Sequence, residues 1–311
     1  MPLKRTSLFL VVCSVLASLA SLRAYIAHLN DGAASQLELL SELSWRWPGE
    51  ERFGGLSGLE ISEDGTKLIA VSDRPMLVFA KVRRQGDSIV GIQNMEIVRP
   101  RTPGSMNYHD EVNSDLEALA LEKNGRLWVS TENYHDVEYF NPGEYTANHI
   151  DYETETQAFR SLPYNQGLEA LSLDPQGRVI AIPETWPENS FPIFRLEKGE
   201  WSVSGEIRKS GSYVPVGADT GPDGHLYLLE RRFVWGIGFS NRVRRFAFVE
   251  DRIVETDILL QTKIRTHGNL EGIAVWSDAS NAIRLTMVSD DNFRTFLDTE
   301  IVEYRWNELR R

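Results

Sequence analysis

The sequence predicts an all-β fold, a β-propeller of four-stranded blades with five repeats visible, and three observations predict it. A short acidic phrase returns five times: FGGLSGLEISEDGTKLIAVSDR at 53–74, SDLEALALEKNGRLWVSTEN at 114–133, QGLEALSLDPQGRVIAIPET at 166–185, VPVGADTGPDGHLYLLERR at 214–232 and GNLEGIAVWSDASNAIRLTMVSDDN at 268–292. Each copy is an apolar strand, a polar turn with Gly or Asp, and a second apolar strand ending at a carboxylate. With Leu56, Leu116, Leu168, Val216 and Leu270 taken as equivalent, the steps are 60, 52, 48 and 54 residues. Periods of this size with strand patterning mark a radially repeated β architecture.

The elements follow in chain order. Lys4 and Arg5 precede an uncharged, mostly apolar run, Ser7–Ala20, with Ser18, Ala20 and Ala24 as small residues at candidate cleavage sites. Residues 1–24 therefore read as a secretory signal or an uncleaved N-terminal membrane anchor, and the expected location is periplasmic or secreted. Residues 25–36 read as a polar linker, and the propeller domain as 37–311. Leu37–Trp47 is strand-like and is expected to close the ring by pairing with Glu300–Trp306, which leaves no free edge. Further strand-like runs follow the repeat cores at Met76–Val82, Ser88–Val98, Pro192–Leu196, Trp201–Ile207, Val243–Val249 and Ile253–Leu260. Two core strands plus two more make a blade of about 55 residues. Five blades is the literal count, and the long first interval leaves room for a sixth, degenerate one. Insertions fall at Pro100–Asn113 and Asn133–Tyr152; the second, rich in aromatics, is a candidate roof for a pocket or an ordinary surface loop.

Composition narrows the function. The 311 residues carry a net charge of −12, which disfavours a nucleic-acid partner. Cys13 is the only cysteine and lies in the apolar N-terminal run, so the domain has neither disulfides nor thiol chemistry. The oligomeric state is not legible.

A propeller brings equivalent residues of its blades together around one axis. One such column is Glu117, Glu169 and Glu271, with Ser57 and Gly217 in the other copies. A second is Asp73, Glu132, Glu184, Glu230 and Asp290. Asp115, Asp291, Asn165, Asn269 and Asn292 flank these, and Asp219 follows the empty slot of the fourth copy. Two carboxylates about 4 Å apart repel by on the order of 4 kcal/mol at an effective dielectric near 20. Relief comes from a hard cation, from Arg, or from raised pKa values. All-oxygen donors suit Ca²⁺ or another hard divalent metal, and no organic cofactor is expected. Arg74, Arg231 and Arg232 directly follow members of the second column. The competing reading is architectural: such acids also hydrogen-bond backbone groups between blades.

Other signals are weaker. Ser57 in GGLSGLE lacks the strand–turn–helix elbow of a nucleophilic serine. His109-Asp110 and His135-Asp136 sit in loops, where solvated histidines are common. His267, close in sequence to Asn269 and Glu271, is the better candidate general base. Trp128, Trp186, Trp201, Trp235 and Trp276 read as packing residues.

The pieces VSDR, D-x-E-A-L, N-x-G-x-E-A-L and V-S-D-D-N-F, in this order from about residue 50 onward, resemble the bacterial phytase-like (esterase-like activity of phytase) domain family. The resemblance implies an enzymatic role for the acids at Asp73, Asp115, Glu117, Glu132, Glu169, Glu230, Glu271, Asp290 and Asp291. The chain departs from the pattern at Glu184 and at the fourth copy, which lacks the first-column Glu, and it has no dense Lys/Arg cluster for a heavily phosphorylated substrate. The expected function is metal-assisted hydrolysis of a small anionic phosphate or carboxylate ester. Metal falls to Asp73, Asp115, Glu132, Glu184, Glu230, Asp290 and Asp291. Substrate binding falls to Arg74, Arg231, Asn165 and Asn269, and catalysis to Glu117, Glu169, Glu271 and His267. A non-catalytic periplasmic binding propeller and a lactonase-type metal hydrolase are the alternatives.

Overall fold

The computed structural model describes residues 5–101, 115–132, 135–146, 148–149, 159, 162–163, 167–250, 252–294 and 297–307. A helix, α1 (Arg5–Leu29), opens the chain, followed by β1 (Ala34–Ser35) and β2 (Glu38–Ser44). Blade one is β3 (Leu56–Ile61), β4 (Lys67–Ser72), β5 (Met76–Gln85) and β6 (Ser88–Val98). Blade two is β7 (Leu116–Leu121), β8 (Leu127–Thr131), β9 (Val137–Phe140) and β10 (Asn148–His149). Blade three is β11 (Ala170–Leu173), β12 (Val179–Ile182), β13 (Ser190–Glu197) and β14 (Glu200–Arg208). Blade four is β15 (Val214–Thr220), β16 (His225–Val234), β17 (Gly238–Val249) and β18 (Arg252–Gln261), with β1 added outside β18. Blade five is β19 (Asn269–Ser277), β20 (Ile283–Asp290) and β21 (Glu300–Trp306), completed by β2.

The innermost strands β3, β7, β11, β15 and β19 touch one another in a closed cycle, which makes the ring five-bladed and leaves no place for a sixth. The expected closure is present: β2 runs antiparallel to β21, with Glu42 opposite Val302 and Ser44 opposite Glu300. Two expectations change. The stretch 25–36 is not a free linker. The helix continues to Leu29, β1 pairs with Leu260 and Gln261, and the Asn30 side chain accepts a hydrogen bond from the Ile264 amide. Within the aromatic insertion at 133–152, residues 137–140 and 148–149 are the third and fourth strands of blade two and not a loop over a pocket, while 133–134, 147 and 150–152 lie outside the described residues. No helix among the described residues is long and apolar enough to cross a membrane.

Apolar side chains between adjacent blades form the core. Trp128, Trp201 and Trp276 are buried there, whereas Trp235 is 87% exposed on the β16–β17 turn. The inner strands approach so closely that one position per blade must stay small. A Cβ on Gly58 would come 3.0 Å from the Leu119 nitrogen. On Gly272 it would come 3.0 Å from the Gly58 carbonyl carbon, and on Gly217 2.3 Å from the Glu271 oxygen. Gly217→Ala is therefore expected to lower stability by about 1–3 kcal/mol in chemical denaturation, as overpacking does. Gly205→Ala, where the nearest atom is 3.6 Å away, is the control that should change little.

That packing position corrects the alignment of the fourth copy. Gly217 matches Gly58 and Gly272, so Val216, not Gly217, stands with Ser57 and Glu271. Pro215 faces Glu230 as Leu56 faces Ser72, so Arg231, not Glu230, occupies the second-column slot of blade four.

Candidate functional site

In four of the five blades the first-column position lies where the inner strand breaks register. The ladder shifts between Leu56 and Gly58, Leu116 and Leu119, Pro215 and Gly217, and Leu270 and Gly272. Such irregularities turn a side chain out of the pleat, here toward the axis. The second column starts where the next strand ends. The amides of Asp73, Glu132 and Glu184 bond back to the carbonyls of Gly55, Asp115 and Gly167, which fixes all three at one level.

The ring is asymmetric. Arg231, from blade four, donates to Glu184 (2.8 Å), Asn269 (2.8 Å) and Glu271, thereby linking blades three and five. Asn269 in turn donates to Glu271 (2.9 Å) and Asp290 (3.2 Å). Burial opposes the Arg231 charge, but Glu271, Glu184 and Glu169 outweigh it and keep the guanidinium protonated. On the other side, blades one and two present Asp73, Asp115, Glu117 and Glu132. Oxygens of Asp115, Glu117 and Glu132 lie within 4.8 Å of one another. Ser57 donates to Asp73 at 2.5 Å.

The electrostatics follow from this imbalance. Burial, then Glu169 and Asp73, hold Glu117 well above the usual carboxylate range. Burial and Glu184 do the same for Glu169. Burial with Asp290 and Asp73 raises Glu271 against the pull of Arg231. Asp73 is pushed up to about 8 by burial and Asp290, Glu132 to about 7 by burial and Asp115, and Asp290 to about 6, chiefly by burial. At neutral pH the ring holds either protons or a cation, because one guanidinium cannot balance it.

Several expected members are elsewhere. Glu230 is fully buried between β16 and β17, where it accepts from Arg242 (2.6 Å) and Arg244 (3.2 Å); it is a structural ion pair, not a metal ligand. His267 turns away from the axis toward Tyr304 and Glu42 on the outer strands of blade five, so it is not positioned as the ring's general base. Asp291 is used by its own loop and blade one, accepting from the amides of Gly55 and Phe293 and the hydroxyl of Thr299. Arg74 stacks on Phe293, 3.7 Å from the ring centroid, and makes no ion pair with the acids among the described residues. His135 packs against Gly167 at the edge of blade three, and burial lowers its pKa. Asn165, His109 and Asp110 lie outside the described residues.

The architectural role expected of some acids is real but falls three residues further along the inner strands. Glu60 and Asp219, equivalent residues of blades one and four, accept the amides of Leu121 (3.1 Å) and Val275 (2.6 Å) on neighbouring blades. Burial, then Asp219, raises Glu60 well above its ordinary range, and burial takes Asp219 to about 7.

Comparison with known proteins gives a family. Residues 51–293 match the family described as "Phytase-like: Esterase-like activity of phytase". No curated protein sequence matches the chain. Among solved structures, the PQQ-bound aldose sugar dehydrogenase of Streptomyces coelicolor aligns with TM-score 0.49 and 10% identity, over 88% of this chain and 98% of that one. A gluconolactonase of Xanthomonas campestris aligns with TM-score 0.43 and 11% identity, over 76% and 68%. Virginiamycin B lyase of Staphylococcus aureus aligns with TM-score 0.40 and 12% identity, over 86% and 99%.

Proposed function

We propose that the chain, which belongs to the phytase-like (esterase-like activity of phytase) family, is a metal-assisted hydrolase of a small anionic ester. The observation that carries this reading is the split ring. Arg231 binds Glu184 and Glu271, while oxygens of Asp115, Glu117 and Glu132 gather within 4.8 Å of one another on the side of blades one and two. An all-oxygen cluster of this charge fits Ca²⁺ or Mg²⁺. A divalent ion held there would supply charge for an ester oxygen and lower the pKa of bound water. Arg231, fixed by three side chains, orients the anionic group of the substrate with little loss of freedom. Glu169, flanked by Glu184 and Glu132, would take the proton of the attacking water in its ionised form, which a bound divalent ion would favour against burial. The apolar residues 7–20 direct export, a part of the proposal that subcellular fractionation and N-terminal sequencing of the mature protein check.

The direct test is a panel of phosphomonoesters, carboxylate esters and lactones assayed with Ca²⁺, Mg²⁺ or chelator. Turnover that requires the ion and disappears in Glu169→Gln supports the reading. Ion-independent turnover, or none across the panel, overturns it and favours a binding propeller.

The raised carboxylates also fix a pH dependence. The unfolded chain releases these protons near pH 4, while the folded ring keeps them until about pH 6 to 8. The folded state thus binds more protons, so stability of the ion-free protein should fall as pH rises from about 4 to 8. Thermal unfolding in chelator across this range reads the decline, and saturating Ca²⁺ should flatten it.

A further inference from the structure

Away from the axis, three donors meet where the ring is closed. His267 is 4% exposed and its Nδ1 has no hydrogen-bond partner. The nitrogen points at Glu42 of β2, 3.5 Å from its carboxylate oxygen. Donor atoms of Glu42, His267 and Glu300 all lie within 4.8 Å of one another. They come from three segments: the N-terminal strand, the third strand of blade five, and the loop entering β19.

We propose that Glu42, His267 and Glu300 form a transition-metal site that fastens the N-terminal strand to the fifth blade. A buried imidazole nitrogen facing two carboxylates is a set of donors, and a hydrogen bond does not account for it at 3.5 Å. Metal at Nδ1 requires the ring proton on Nε2, and the Tyr304 hydroxyl stands 2.6 Å from Nε2, able to accept it. Ligating histidines are oriented by such a partner on the other ring nitrogen. One oxygen of Glu300 is already held by the Gly268 amide at 3.0 Å, which aims the carboxylate. Zn–N and Zn–O bonds of about 2.0–2.2 Å need the three donors to draw together by only about 1 Å. The nitrogen selects a borderline ion such as Zn²⁺ over Ca²⁺, in contrast to the all-oxygen axial cluster. Glu42, with its side chain 44% exposed, gives the ion a way in and leaves a coordination position for water.

The site is a clasp. Strand β2 is the outermost strand of its blade, held by pairing to β21. A metal shared by β2, β21 and the β19 loop would oppose peeling of the strand that closes the ring, since an ion bound only by the folded form stabilises it.

The experiment is Co²⁺ binding by the full chain, followed by visible absorption and by hydrogen exchange of amides 38–44. Saturable binding with a d–d band, competed by Zn²⁺ and accompanied by slowed exchange in 38–44, is expected. With Ca²⁺ saturating the axial cluster, Glu42→Gln and His267→Gln should each weaken Co²⁺ binding at least about tenfold. Glu42 is exposed enough that Glu42→Gln folds, so it decides the matter if His267→Gln does not. Absence of the band, or wild-type Co²⁺ affinity in Glu42→Gln, overturns the proposal without touching the axial site.

Discussion

Glu230→Ala is expected to destabilise the protein by about 3–5 kcal/mol while leaving divalent-ion binding at the axis intact. The substitution removes the carboxylate that balances Arg242 and Arg244, which are 3% and 1% exposed. Breaking a buried pair from one side strands a charge, and that penalty exceeds the net worth of the pair. Arg244 retains Glu255 and the Arg208 carbonyl, and Arg242 retains Ser210, which keeps the loss within that range. Urea denaturation gives the stability and calorimetry gives the ion binding. Lost Ca²⁺ affinity with unchanged stability would return Glu230 to the ring and refute the corrected register.

Glu117→Gln should do the reverse: stability of the ion-free protein is kept or improved, and kcat/KM falls by about 10²-fold or more. The amide keeps the shape of the side chain but removes one of three clustered oxygens' charge. The expected loss corresponds to the several kcal/mol that a metal ion contributes to transition-state charge. The gain in ion-free stability has its own cause, because Glu117 sits in a field of Glu169, Asp73 and Glu132 that resists its ionisation. An activity loss matched by a large loss of stability would instead mark Glu117 as a structural residue.

These two residues show what could be read from the chain. The repeat gave the five blades because each copy carries its own strand–turn–strand signal, and Leu37–Trp47 could be placed against Glu300–Trp306 because a ring must close. The columns were legible wherever the acidic phrase was intact, at Glu117, Glu169, Glu271, Asp73, Glu132, Glu184 and Asp290. They fail in blade four, where Val216 offers an apolar match to Leu56 but Gly217 is the counterpart of Gly58. The small residue is the firmer anchor, since Gly58, Gly217 and Gly272 are set by contact between neighbouring backbones. Aligned that way, Arg231 falls in the second column and Glu60 stands beside Asp219, both readable from the sequence. His267 could not be placed, because nearness to Asn269 along the chain says nothing about the side on which a loop residue faces. Tyr304 and Glu42, remote in sequence, decide that.

The proposed hydrolase requires a hard divalent ion on the blade-one and blade-two side of the axial ring. Calorimetric titration of Ca²⁺ into metal-stripped protein at pH 7.5, on wild type and Glu117→Gln, tests it most directly. Saturable binding to wild type with proton release, lost in Glu117→Gln and kept in Glu230→Ala and Glu42→Gln, is the expected result. The released protons are those held by Asp73 and its neighbours in the empty ring. Wild-type protein that binds neither Ca²⁺ nor Mg²⁺, or a Glu117→Gln variant that binds as wild type does, would contradict the account.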